Sequence, residues 1–238
     1  MDAETFREFF RRQIEVVDAL GCLPNEMVGI TDRENVTLYK KIAYVSFLDC
    51  FASLRFSKDA FGKPSRNNRK RFIDFLQQDA AWEVGSMISL SFLNEKLLNV
   101  KTDGKLVRYI NEKLCLGYDF GDTISAAKID ESIEPLLKLA STEAEKKAIR
   151  DCQHYSIMYR YRNNLVHQAR RPGRASENLG KDNDEACYHT YAGKSVLYLL
   201  YPIALFKRLC VTSLNKLGRY FEENKLDPLA LEDDPRCF

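Results

Sequence analysis

The sequence predicts an all-α protein, a helical bundle with extra helices and a loop and short-strand insertion around 170–191. Three observations carry this. Apolar residues recur every three or four positions along most of the 238-residue chain, strand-like alternation is scarce, and no internal repeat or low-complexity linker divides it. A single helical domain over 1–238 is expected, with an N-terminal helix over 3–20 and an acidic tail over 226–238. A chain of this length with 45% hydrophobic residues can bury such a core.

The elements follow from local pattern. Phe6, Phe10, Ile14 and Val17 form one stripe, with Arg7, Glu8, Arg11, Arg12 and Glu15 opposite, and Gly21 and Pro24 close this helix. A second helix is expected from about Asp32 to Phe56. After a basic loop with Gly62 and Pro64, Arg69 to Gln78 resumes helical spacing. Met87–Val100, Lys105–Leu116 and Ile129–Leu139 are further helical segments, the last two separated by a turn region at Gly117–Asp122. Thr142-Glu143-Ala144-Glu145 is a capping box, in which the threonine hydroxyl and the glutamate carboxylate each satisfy a backbone amide of the first turn. The helix it opens is expected to reach Gln168, ahead of Pro172-Gly173. A polar loop follows, then a short strand at Ala186–Tyr191 and a long last helix from about Lys194 to Glu223. The nearly apolar run Ser195–Phe206 contains Pro202 and reads as a buried, kinked helix, too short to span a membrane.

Charge and cysteine usage narrow the function classes. There are 36 basic and 34 acidic residues, for a net charge of +2. The charges are unevenly placed. Lys63, Arg66, Arg69, Lys70 and Arg71 form one basic run, and Arg160, Arg162, Arg170, Arg171 and Arg174 form another, interleaved with Tyr155, Tyr159 and Tyr161. Either run can be a solvated face, but arginines beside aromatic rings also suit phosphate contact and stacking on unpaired bases. The seven cysteines lack C-x-x-C spacing, and Cys187-Tyr188-His189 offers two metal ligands without a partner pair, so neither a disulfide framework nor a zinc site is expected. The N-terminus is acidic and carries no apolar signal segment. The expectation is a cytoplasmic protein with no membrane association, no metal and no cofactor. A Cys–His hydrolase built on Cys152 or Cys187 lacks an orienting third residue.

Two polar residues interrupt apolar stripes. Leu38, Ile42, Val45, Asp49, Ala52 and Phe56 share one helical face, as do Ala148, Cys152, Tyr155, Tyr159, Arg162 and Val166. Neither Asp49 nor Arg162 can stay unpaired in a core, so the two are expected to pair, within the chain or across a dimer. His167 lies five residues from Arg162, about 140° around a regular helix. Its face is polar and contains Gln153, Ser156, Arg160 and Asn163. Convergence of Arg162 and His167 then requires the helix to end near His167, or a second chain across a two-fold axis. His154 and His189 read as surface or capping histidines.

Arg162-Asn163-Asn164-Leu165-Val166-His167 has the form R-N-x-x-x-H towards the end of a long helix, with an isolated acid, Asp49, on an earlier one. It resembles the R-x(4–6)-H signature of HEPN domains, helical-bundle proteins of defence and RNA metabolism. A wider resemblance to bacterial HEPN-like proteins rests on Ser46–Asp49, Arg69–Leu76 and Tyr161–His167, covering about 35–225. The resemblance implies a homodimeric, metal-independent endoribonuclease that cleaves RNA through the ribose 2′-OH, in phage defence or a toxin–antitoxin pair with a separate regulatory protein. Arg162, His167 and Asn163 would be catalytic and Asp49, Asn164 and Tyr159 supporting. Arg160, Arg170, Arg171, Arg69, Lys70 and Arg71 would contact RNA. Some members carry a modified tyrosine two residues after the histidine; here that position is Ala169. The alternative is a non-catalytic module of the same type that binds RNA, a nucleotide or a protein.

Overall fold

The computed structural model describes residues 1–20, 30–57, 67–98, 104–115, 119, 121–168, 183–191 and 194–231; the side chains of 30–35, 191 and 194–196 are outside this description. The protein is mainly helical, with one small sheet. Two compact units are interleaved along the chain. One comprises Met1–Trp82, Arg162–Arg170 and Phe206–Phe238; the other comprises Glu83–Tyr161 and Arg171–Leu205.

The first unit contains α1 (Ala3–Ala19), α2 (Ile30–Arg55), α3 (Asn68–Asp79), the end of α9 (His154–Gln168) and most of α10 (Ile203–Asn224). Asp2 caps α1, its carboxylate accepting from the Thr5 amide at 2.7 Å, and Asn67 caps α3 by accepting from the Lys70 amide at 3.1 Å. The α1 stripe meets α2 and α10 through aromatic rings. Phe6 packs against Phe51 and Phe221, and Phe10 against Phe47 and Phe51, at centroid distances of 4.8–6.3 Å. Each such buried ring contributes about 1.5–3 kcal/mol of transfer free energy. Gly218 lets α1 approach α10: a Cβ there would lie 2.7 Å from the Arg7 side chain, which bridges Glu4 and Glu222.

The second unit holds a 3-10 turn (Glu83–Ser86), α4 (Leu90–Leu98), α5 (Lys105–Leu114), α6 (Ala126–Ile129), α7 (Ile133–Leu139), α8 (Glu143–Asp151) and the first part of α9. Its three antiparallel strands, β1 (Thr123–Ser125), β2 (Cys187–Tyr191) and β3 (Lys194–Leu200), have β2 in the centre. The register pairs Ile124 with Tyr188 and Tyr188 with Leu199, and it shifts between Thr190 and Tyr191.

Several expectations hold and three are corrected. The capping box at Thr142 and Glu145 is present in both halves. The helix it opens, however, breaks at Cys152–Gln153. There the Ser89 amide donates to the Cys152 carbonyl at 2.9 Å and the His154 amide donates to the Met87 carbonyl at 3.0 Å, so a neighbouring extended segment takes the bonds a continuous helix would have made. Glycine at position 85 is required beside this break, because a Cβ would lie 2.2 Å from the Tyr155 ring. Second, the all-α expectation gives way to a mainly helical fold with a three-stranded sheet; β1 was not foreseen. Third, Ser195–Phe206 is not one kinked helix. Proline disfavours helical geometry in the residue before it and cannot donate a backbone hydrogen bond. Accordingly β3 runs to Leu200, and α10 begins just after Pro202. The segments 21–29, 58–66 and 169–182 and the tail residues 232–238 lie outside the described residues.

Candidate active site

The residues of the R-x(4)-H segment and Asp49 all belong to the first unit. On α2 the buried positions are Lys41, Tyr44, Val45, Leu48, Phe51, Ala52 and Leu54, which leaves Asp49 at the margin of the stripe. On α9 they are His154, Tyr155, Ser156, Ile157, Met158, Tyr161 and Leu165, while Val166 is 39% exposed. The expected faces hold in part: Val45, Ala52 and Tyr155 are buried, whereas beyond Tyr155 burial on α9 falls on Met158, Tyr161 and Leu165, one residue before Tyr159, Arg162 and Val166. Arg162 therefore flanks the core instead of occupying its centre. Its side chain is 14% exposed and that of Asp49 is 21% exposed.

Arg162 is the hub. Its Nη2 donates to Asp49 Oδ2. Its Nη1 donates to Asn163 Oδ1 at 3.0 Å and meets His167 Nε2 at 3.2 Å. Because the guanidinium only donates, Nε2 must present its lone pair, which places the proton of a neutral imidazole on Nδ1. Two atoms of the ion pair are buried without a hydrogen-bond partner among the described residues, Arg162 Nε and Asp49 Oδ1. The contact is therefore one-armed, although the groups could form a two-armed fork.

The expected Asp49–Arg162 pair thus forms within a single chain, and so does the convergence of Arg162 with His167. As expected, the helix ends close to His167, its last residue being Gln168. Reach solves the angular problem. Helical side chains lean towards the N-terminus, so His167 tilts back over the preceding turn and the long arginine arm meets it.

The remaining candidate residues are distributed as follows. Asn164 is half-buried on α9. Arg69 and Lys70 are exposed and Arg71 is half-buried at the start of α3, in the unit that carries the hub; Lys70 pairs with Asp74. Tyr159 and Arg160 belong to the second unit, where Arg160 donates to the Asp151 carbonyl at 3.3 Å and lies 5.5 Å from the Phe92 ring centre. Lys63, Arg66, Arg170, Arg171 and Arg174 lie outside the described residues. Burial pushes the Cys152 thiol up to about 11, far from a thiolate nucleophile at neutral pH. Among the described residues there is no group of three or more His, Cys, Asp or Glu side chains arranged to hold a metal, and no helix long and apolar enough to cross a membrane.

Sequence reasoning missed a second polar cluster. His154 is not a surface residue: it is fully buried in the second unit, with Nε2 2.7 Å from Asp130 Oδ2 and Nδ1 2.7 Å from the Tyr201 hydroxyl. Asp130 also accepts from the Tyr188 hydroxyl at 2.8 Å and the Leu90 amide at 3.0 Å, and Ser89 Oγ lies 2.7 Å from the Tyr188 oxygen. Burial, reinforced by the Asp130 charge, pushes both tyrosine hydroxyls well above their usual range. With no side chain of the cluster open to solvent, this is a structural network that ties β2, α6 and the starts of α4 and α9 together. His189 is likewise buried, on β2.

Protein-family models, curated proteins and solved structures were all compared with this chain, and none matches it. The chemistry therefore has to be argued from the hub itself.

Proposed function

We propose that the protein is a metal-independent endoribonuclease of the HEPN type, with Arg162 and His167 as its reacting pair. One observation carries the reading: a guanidinium, an imidazole nitrogen bearing a lone pair, and an asparagine amide meet at one half-exposed point of the first unit. Attack by a ribose 2′-OH needs a group that accepts a proton near neutral pH, which is the role of His167 Nε2. Negative charge then builds on the phosphoryl oxygens, where the fixed cation of Arg162 lowers the barrier. Asp49 and Asn163 hold that cation in orientation. Arg69, Lys70 and Arg71 belong to the same unit and would add attraction for the RNA backbone.

In-line cleavage also requires a proton for the departing 5′ oxygen. The hub supplies one histidine, and a second copy of the chain would supply another. A homodimer with two facing hubs is therefore part of the proposal, as is a separate protein that restrains the activity.

The test is incubation of the purified protein with mixed RNA in EDTA. Cleavage that disappears in both Arg162→Ala and His167→Ala, with folding intact by circular dichroism, is the expected result. Tight RNA binding without cleavage would instead favour the non-catalytic module.

A further inference from the structure

We propose that the Arg162–His167 hydrogen bond is a latch that an oxyanion of the phosphate class opens. The inference deepens the proposed function by describing how that site is regulated, and it rests on that reading for its biological meaning. The geometry behind it is independent.

The donors of Arg162 are nearly all taken. A guanidinium carries five N–H groups. Both Nη1 hydrogens of Arg162 are engaged, one by Asn163 Oδ1 and one by His167 Nε2, and one Nη2 hydrogen is engaged by Asp49. The Nε group is buried, so an anion arriving from solvent cannot reach it. One Nη2 hydrogen is left. Phosphate oxygens bind a guanidinium best through two parallel N–H bonds from two different nitrogens. From solvent, that fork needs one Nη1 hydrogen, so one of the two present acceptors has to leave.

His167 is the one that leaves. It is exposed, on the last turn of α9, and its contact is the longer, 3.2 Å against 3.0 Å for Asn163. Asn163 is half-buried and adjacent to Arg162 in sequence, so it has little freedom to move away. A charged acceptor forms a stronger hydrogen bond to the guanidinium than a neutral imidazole does, which drives the exchange. The consequence is order. The basic nitrogen of His167 is capped at rest and becomes available only once an anion occupies Arg162.

The experiment is nitrogen-resolved NMR of the His167 imidazole in the full chain. Inorganic phosphate is titrated in at constant ionic strength, with chloride as the control, at a pH of about 8 where free imidazole is neutral. His167 is expected to rest as the Nδ1–H tautomer and to shift, saturably, towards the tautomer mixture of a free ring. In Arg162→Gln the ring should already resemble a free imidazole, and phosphate should bind about tenfold more weakly or worse. Asn163→Ala separates the latch from general anion binding. It releases an Nη1 hydrogen, so phosphate should bind while His167 stays in place. A His167 signal that ignores saturating phosphate, responds equally to chloride, or shifts as fully in Asn163→Ala as in the parent overturns the latch. RNA cleavage without a phosphate response would remove the latch and keep the nuclease; a phosphate response without RNA cleavage would do the reverse.

Discussion

Arg162 and His167 touch within one chain, Nη1 to Nε2 at 3.2 Å, although five residues of helix separate them. The contact depends on a planar group that donates in three directions at once, to Asp49, Asn163 and His167. Lysine carries the same charge at one point and cannot hold that plane. Arg162→Lys is therefore expected to retain most of the stability and to lose at least about tenfold in RNA cleavage, a loss of about 1.4 kcal/mol in transition-state binding. Cleavage rates measured beside denaturation curves check both halves.

The Asp49–Arg162 pair should be measurable as a coupling. Asp49→Ala leaves a half-buried guanidinium short of its charged acceptor, and a loss of about 1.5–3 kcal/mol is expected. Adding Arg162→Ala should cost less than the sum of the two single changes. A double-mutant cycle by urea denaturation gives the interaction directly, and strict additivity would show that the contact contributes nothing.

His154→Ala should be far more damaging than its polar side chain suggests. It removes a fully buried hydrogen-bond partner of the Asp130 carboxylate and leaves a cavity, at a cost of about 3 kcal/mol or more. Tyr201→Phe removes only the hydroxyl at the other ring nitrogen and should cost about 1–2 kcal/mol. Thermal unfolding of the two variants should rank them in that order.

Gly85→Ala tests the helix break. The added methyl would lie 2.2 Å from the Tyr155 ring, so the ring or the turn must shift, at a cost of about 1–3 kcal/mol. Alanine at Gly121, which meets nothing within 4 Å, is the control for space, although its positive φ of 86° adds backbone strain of its own.

Asp18 predicts part of the acid response. Burial alone would raise its carboxyl, but the Lys207 and Tyr44 hydrogen bonds outweigh burial and hold it below the usual range. A carboxyl depressed in the folded state stabilises the protein above its unfolded value, about pH 4, and that contribution disappears as pH falls through the folded value. Asp18→Asn should therefore flatten the acid limb of the stability curve below about pH 4 and lower the plateau at neutral pH. Chemical denaturation repeated across pH reads both.

The parts of this fold that sequence reveals are those set by neighbours in the chain. The α1 stripe at Phe6, Ile14 and Val17 and the capping box at Thr142 need only residues within a turn or two, and both are found. Asp49 and Arg162 were legible for a different reason: each is a charge placed where an apolar residue was due. Their stripes match the buried faces only in part, yet the pairing holds, because both residues border the core. The break at Cys152 left no local mark, since its bonds come from Met87 and Ser89. Likewise nothing near His154 points to Asp130, which lies 24 residues away. The apolar run before Pro202 fits a buried strand as well as a buried helix, and pairing with β2 decides between them.

The interleaving of the two units sets an order in time. Asp49 and Arg162 are 113 residues apart, and the unit that holds them also takes in α10 from Phe206 onward. During synthesis α1, α2 and α3 can pack on one another well before α10 emerges, with Phe6 still lacking Phe221. The hub cannot be assembled until the chain has emerged through His167, long after Asp49. The site is thus a late product of synthesis, closed by a segment made long after the helix that carries its acid.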